Sequence, residues 1–135
     1  MLDLFVASSE EDIQKLRLRP RVSLDGPIYW FLYRYFVQAC LKPGDFSFLN
    51  FYENTELVGY QLHRLKAELQ EALVDLSARS KNFSVLVGWN SEVRSVETED
   101  WRTVDRTKVE KSVHELIWAL DEAGKLGHRV YALGD

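Results

Sequence analysis

The chain has 135 residues, enough for one domain with its own core and no need of disulfide or metal staples. A hydrophobic fraction of 46% and a charged fraction of 28% exclude a disordered or fibrous protein. A net charge of −4 argues against a non-specific nucleic-acid binder, and the lone Cys40 excludes an intramolecular disulfide.

Leu2 to Ala7 reads as a first strand, with Leu2, Leu4 and Val6 on one face and Phe5 on the other. Ser8-Ser9-Glu10-Glu11 follows as a capping box, opening a short helix with Ile13 and Leu16 expected inward. The start Met1-Leu2-Asp3-Leu4 lacks the charged residue and long apolar run of a signal peptide, so the expected location is cytoplasmic. Lys15, Arg17, Arg19 and Arg21 then alternate around Pro20; in an extended segment they share one face, which suits a phosphate or acidic partner, or else a solvated linker or an edge blunted with charge. Val22-Ser23-Leu24 is a short strand.

Asp25-Gly26-Pro27 is helix-start chemistry, because proline suits the first turn. The helix expected over 27–42 is the most demanding element of the chain. Twelve of the fifteen residues from Ile28 to Lys42 are apolar or aromatic, and Arg34, Gln38 and Lys42 form one narrow polar stripe. Such a helix has to be covered by the rest of the fold, a second copy or a partner. At 1.5 Å per residue it spans only about 22 Å and carries Arg34 at its middle, so it is not a membrane span. Cys40 lies within it as a small buried hydrophobe. Pro43-Gly44-Asp45 ends it, and Phe46, Phe48 and Phe51 suggest a strand near 46–52.

A long helix is expected from a cap at Asn54 or Thr55 to about Ala78, with Val58, Leu62, Leu65, Leu69, Ala72 and Leu76 as its apolar stripe. Asp75 and Arg79 form an acid-first pair four residues apart. Phe83 to Trp89 is β-branched, aromatic and uncharged, which predicts a central strand covered on both faces. Val93 to Glu97 reads as its antiparallel return. The segment 92–105 holds Glu92, Glu97, Glu99, Asp100 and Asp105 around Trp101. Thr107-Lys108-Val109-Glu110 is a second capping box, and Val109, Val113, Leu116, Ile117 and Leu120 form one helical face closed by Gly124 or Gly127. Arg129 to Leu133 is a final strand. The expected fold is therefore α/β or α+β, a single mixed sheet of about four to six strands packed by four helices, in one domain.

Functional motifs are sparse. His63, His114 and His128 share no metal-ligand spacing, and Gly124-Lys125-Leu126-Gly127 follows a helix where a phosphate loop precedes one. No metal site, cofactor, nucleic-acid or membrane contact is expected. Trp118 is the most informative residue, because helical geometry sets it opposite the apolar stripe, among His114, Glu115 and Glu122. Tryptophan is enriched at interface hot spots and contributes ~2 kcal/mol or more there. Trp101 with Glu99 and Asp100 forms a second surface suited to a basic protein partner, and a solvated loop over 92–105 is the competing reading.

The leading expectation is a non-enzymatic protein-binding module of inhibitor, immunity or adaptor type, whose partner is another protein or a second copy. A small enzyme or ligand-binding protein with an aromatic-lined pocket and histidine or carboxylate groups is the competing reading. A homo-oligomer sealed through the aromatic helix is the third.

Overall fold

A computed structural model describes residues 1–39, 49, 52–90 and 98–134. The elements are β1 (Leu2–Ala7), α1 (Glu10–Lys15), β2 (Val22–Leu24), α2 (Gly26–Ala39), β3 (Thr55–Leu57), α3 (Tyr60–Ser77), β4 (Asn82–Asn90), β5 (Thr98–Asp105), α4 (Arg106–Leu126) and β6 (Arg129–Leu133). Among the described residues, four helices and six strands make an α+β fold. The strands form two antiparallel sheets, one ordered β2-β1-β6-β3 and the other the ribbon β4-β5, in place of the single mixed sheet that the sequence predicts. The division has a local cause: β4 and β5 satisfy each other's backbone as near neighbours, and the apolar side of the ribbon is used on α2.

Alternation along β1 and β6 gives the larger sheet two working faces. Leu2, Leu4, Val130 and Ala132 join the main core with Leu24 and Leu57, while Phe5, Ala7 and Tyr131 meet Ile13 of α1 in a smaller cluster. The cap of α1 is Ser9, whose hydroxyl accepts from the Asp12 amide. Leu16, expected inward, is 65% exposed because the helix stops at Lys15 and the chain turns through Arg17 at a φ of +50°. That turn also breaks the cationic row, so Lys15, Arg17, Arg19 and Arg21 share no extended face.

The aromatic helix α2 is covered within the chain. Ile28, Tyr29, Phe31, Leu32, Tyr35, Phe36 and Ala39 are buried, Trp30 and Tyr33 are half-buried, and only Arg34, Val37 and Gln38 are exposed. Its amino terminus is held by the Asp25 carboxylate, which accepts from the Ile28 amide at 3.0 Å. Tyr29 packs edge-on to Trp30, and its hydroxyl donates to the Leu49 carbonyl at 2.6 Å. Cys40, Lys42, the turn at 43–45 and the rest of the strand expected over 46–52 lie outside the described residues, Leu49 and Tyr52 excepted.

Helix α3 starts later than its apolar stripe suggests. Thr55-Glu56-Leu57 pairs with β6 as β3, and Gly59 becomes the cap, at a φ of +52° that glycine tolerates. Leu62, Leu65, Leu69, Ala72 and Leu76 are buried as expected. In α4 the cap is Asp105, accepting from the Thr107 amide at 2.8 Å, two residues ahead of the capping box, and Glu110 pairs with Arg106 at 3.3 Å. Gly127 closes α4 in the left-handed conformation.

The ribbon corrects two expectations. β4 is covered on one side only: Phe83, Val85 and Val87 pack on the main core, while Ser84 and Leu86 point the other way. Part of the acidic segment is strand rather than loop, since 98–105 pairs with β4. Residues 91–97, including the expected return strand, lie outside the described residues.

One cluster ties α2, α3, the ribbon and α4 together. The Asp75 carboxylate accepts from the Tyr35 hydroxyl at 2.6 Å and Arg34 Nη2 at 2.7 Å, with Arg79 Nη2 at 3.5 Å. The Arg79 guanidinium lies 5.1 Å from the Phe31 ring and 4.9 Å from the Phe83 ring, and its backbone carbonyl accepts from Arg106 Nη1. The Tyr35 hydrogen bond, aided by the two arginines, holds the Asp75 carboxyl below the usual carboxylate range; burial and the same bond push the Tyr35 phenol up.

Asp75→Asn is expected to lower stability by about 1–2 kcal/mol near neutrality, the range for hydrogen bonds to a partly exposed charged group. A depressed folded value means that the contribution is complete above the ordinary carboxylate range and is lost as pH falls through the folded value. Urea unfolding near neutrality and in acid measures it; a stability gap that stays constant on acidification contradicts the assignment. Tyr29→Phe should cost about 1–2 kcal/mol by leaving the buried Leu49 carbonyl unpaired, and a midpoint equal to wild type would show that bond to be without weight.

Candidate functional site

Helix α4 turns its apolar stripe onto β1, β2, β6 and α3 and leaves a polar ridge outward. Lys111, His114, Trp118 and Lys125 follow one another along that ridge at helical spacing, all exposed. Trp118 is 56% exposed, and the His114 ring lies 6.2 Å from it at 32° between planes. The sequence therefore places Trp118 correctly: no other described segment covers it.

Its surroundings form a shallow cleft of 460 Å³ lined by Arg21, Trp118, Asp121, Glu122, Lys125 and Leu126. Arg21 enters from outside the helix. Its backbone amide donates to the Leu4 carbonyl at 2.7 Å, and its Nε donates to Glu122 at 2.9 Å, so one wall is an ion pair fixed to the main sheet. Asp121 is held by Lys66 of α3 at 2.8 Å, and Glu115 faces Lys111 at 3.9 Å. Leu126, also 56% exposed, adds a second apolar group. Charged groups are thus largely paired with one another, while the two large apolar side chains are left open. An arrangement of this kind offers an aromatic anchor inside a polar rim.

Four of the expected residues, His114, Glu115, Trp118 and Glu122, share this helix. Arg21 and Leu126 were not legible as part of the site. Arg21 reads as one more cation in a charged row, and only the tertiary fold brings it to Glu122. Leu126 did leave a signal, an apolar side chain off the buried stripe near the helix end.

The second expected surface is divided by the pleat of β5. Trp101 sits opposite Leu86 and Thr103 opposite Ser84, which sets Trp101 and Glu99 on the outward face of the ribbon. Trp101 is 53% exposed and its Nε1 donates to Glu99 at 2.8 Å. Asp100 belongs to the opposite face, where it pairs with Arg102 at 3.1 Å. The alternation of strand side chains separates what a loop would have presented together.

The histidines do not converge. His114 stacks by Trp118, whereas His63 and His128 line a different cleft between α3 and α4. Among the described residues no group of three or more histidine, cysteine, aspartate or glutamate side chains is placed to hold a metal ion, and no helix is long and apolar enough to cross a membrane. No protein-family model, curated protein or solved structure matches this chain.

Proposed function

We propose that this chain is a protein-binding module that engages its partner through the Trp118 face of α4. The observation that carries the reading is a tryptophan more than half exposed on an otherwise charged ridge, beside an equally exposed Leu126. Leaving that much apolar surface in water has a cost of about 25 cal/mol per Å², which burial under a partner recovers. The paired charges around it, Arg21 with Glu122 and Lys66 with Asp121, are suited to a rim that orients the partner without leaving a buried charge uncompensated. The outward Trp101, Leu86 and Glu99 of the ribbon form a second, acidic-edged contact for a basic partner. The reading takes the protein as a soluble cytoplasmic adaptor, inhibitor or immunity-type molecule, with a second copy of itself as the other possible partner.

Affinity capture with the wild-type chain, identification of the retained protein and titration with that protein purified test the proposal. Trp118→Ala should weaken the complex by about 30-fold, the equivalent of a ~2 kcal/mol anchor, while leaving the thermal midpoint of the free chain unchanged. Equal affinity for the variant, or no protein retained by the wild type together with a monomer in sedimentation, would sink the reading.

A further inference from the structure

A larger concavity, 680 Å³, opens between the first turns of α3 and the last turns of α4, bordering the Trp118 cleft at Asp121 and Lys125. Its size falls in the ordinary range for small-molecule sites. Its floor is apolar and rigid, made by Leu62, Leu120 and Ala123, each at least nine-tenths buried. Its rim carries one cation in excess: Lys66 and Arg129 are offset by Asp121 and Glu56, and Lys125 is left over.

The basic groups are not all committed. Lys66 is taken by Asp121 at 2.8 Å, and Arg129 donates to Glu56. The side chains of Lys125, His63 and His128 make no hydrogen bond or ion pair with the described residues, and all three residues line the cleft. An ammonium group offers three donors and an imidazole at least one, so these side chains supply donors with no acceptor of their own. The ends of the two helices nearly offset each other. Gly59 opens α3 with no side-chain cap and no acid in the first turn, which favours an anion. The carboxyl end of α4 has the opposite sign, though its Ala123 carbonyl is already taken by the amides of Gly127 and His128. The excess of cationic side chains therefore decides the sign of the site.

We propose that this cleft binds a small organic anion with an apolar body, its anionic head held by Lys125, His63 and His128 and its body laid on Val58 and the exposed edges of Leu62 and Leu120. The head fixes orientation through charge-assisted hydrogen bonds, and the body supplies affinity by leaving water. Neither part suffices alone, because a bare anion stays better hydrated in bulk water and an apolar molecule leaves the three donors without an acceptor.

The probe is octanoate, titrated into isotope-labelled full-length protein while the ring resonances of His63 and His128 are followed. Both should move saturably, while octanol and acetate each bind at least about tenfold more weakly. Lys125→Glu, at an exposed position that leaves the core untouched, should weaken octanoate by about tenfold or more, whereas Lys111→Glu on the same helix outside the cleft should not. Trp118→Ala should bind octanoate like wild type, which separates this site from the protein-binding face. No saturable movement of the two histidines, octanol or acetate binding as well as octanoate, or an unchanged affinity in Lys125→Glu would each overturn the proposal.

Discussion

The rest of this structure is arranged around the need to keep α2 out of water. Burying one large apolar side chain contributes roughly 1.5–3 kcal/mol, and α2 carries seven buried residues along fourteen positions. Only a fold that surrounds the helix on most of its circumference can realise that gain. α3 packs along one side and the β4-β5 ribbon along another, leaving Arg34, Val37 and Gln38 as the narrow outlet to solvent. For the described residues of this helix, that cover comes from within the chain.

Tyrosine makes that burial conditional. Each phenol taken into the core needs an acceptor for its hydroxyl. Tyr29 finds the Leu49 carbonyl, and Tyr35 finds Asp75. The second solution spreads, because Asp75 brings Arg34 and Arg79, and Arg79 carries the contact on to Phe31, Phe83 and Arg106. Arg79 Nε and Arg106 Nε are buried without a well-aligned hydrogen bond among the described residues; the ring contacts offset part of that cost for Arg79, and the Glu110 carboxylate 3.3 Å away does so for Arg106. Packing of α2 thereby helps to place α3, and α4 in turn is placed by α3 and the larger sheet, which positions both surface clefts. The larger one sits where the buried stripes of α3 and α4 run out, at Leu62 in the first turn of one and Ala123 in the last turns of the other.

Asp121 and Lys125 border both clefts, one turn apart on the α4 ridge. The chain is acidic as a whole, yet the same ridge carries an exposed tryptophan on one flank and a hollow with an unpaired lysine on the other. Charge is therefore distributed by place and not merely by amount.

Much of this was legible in the residues themselves. Periodicity found the buried stripes of α3 and α4, the alternation of β1, the outward Trp118 and the cover required by α2, because each depends on spacing within one element. Local rules also competed with one another. Asp105 outranked Thr107 as a cap, and Thr55 to Leu57 joined a strand although the helical stripe began at Val58, because an open edge of β6 was available to pair. The uncharged run of β4 overstated its cover, since Ser84 and Gly88 already marked a side that could meet solvent.

What the sequence alone determined is which faces of the long elements are apolar, where α3 and α4 stop, and that Trp118 points outward. What only the tertiary structure decided is which distant residues meet: Arg21 with Glu122, Lys66 with Asp121, His63 with His128 across a cleft, and two sheets in place of one. The reason is physical. Periodic patterns arise from bonds between neighbours a few residues apart, whereas pairing across the chain depends on how buried surfaces fit, which no single element encodes.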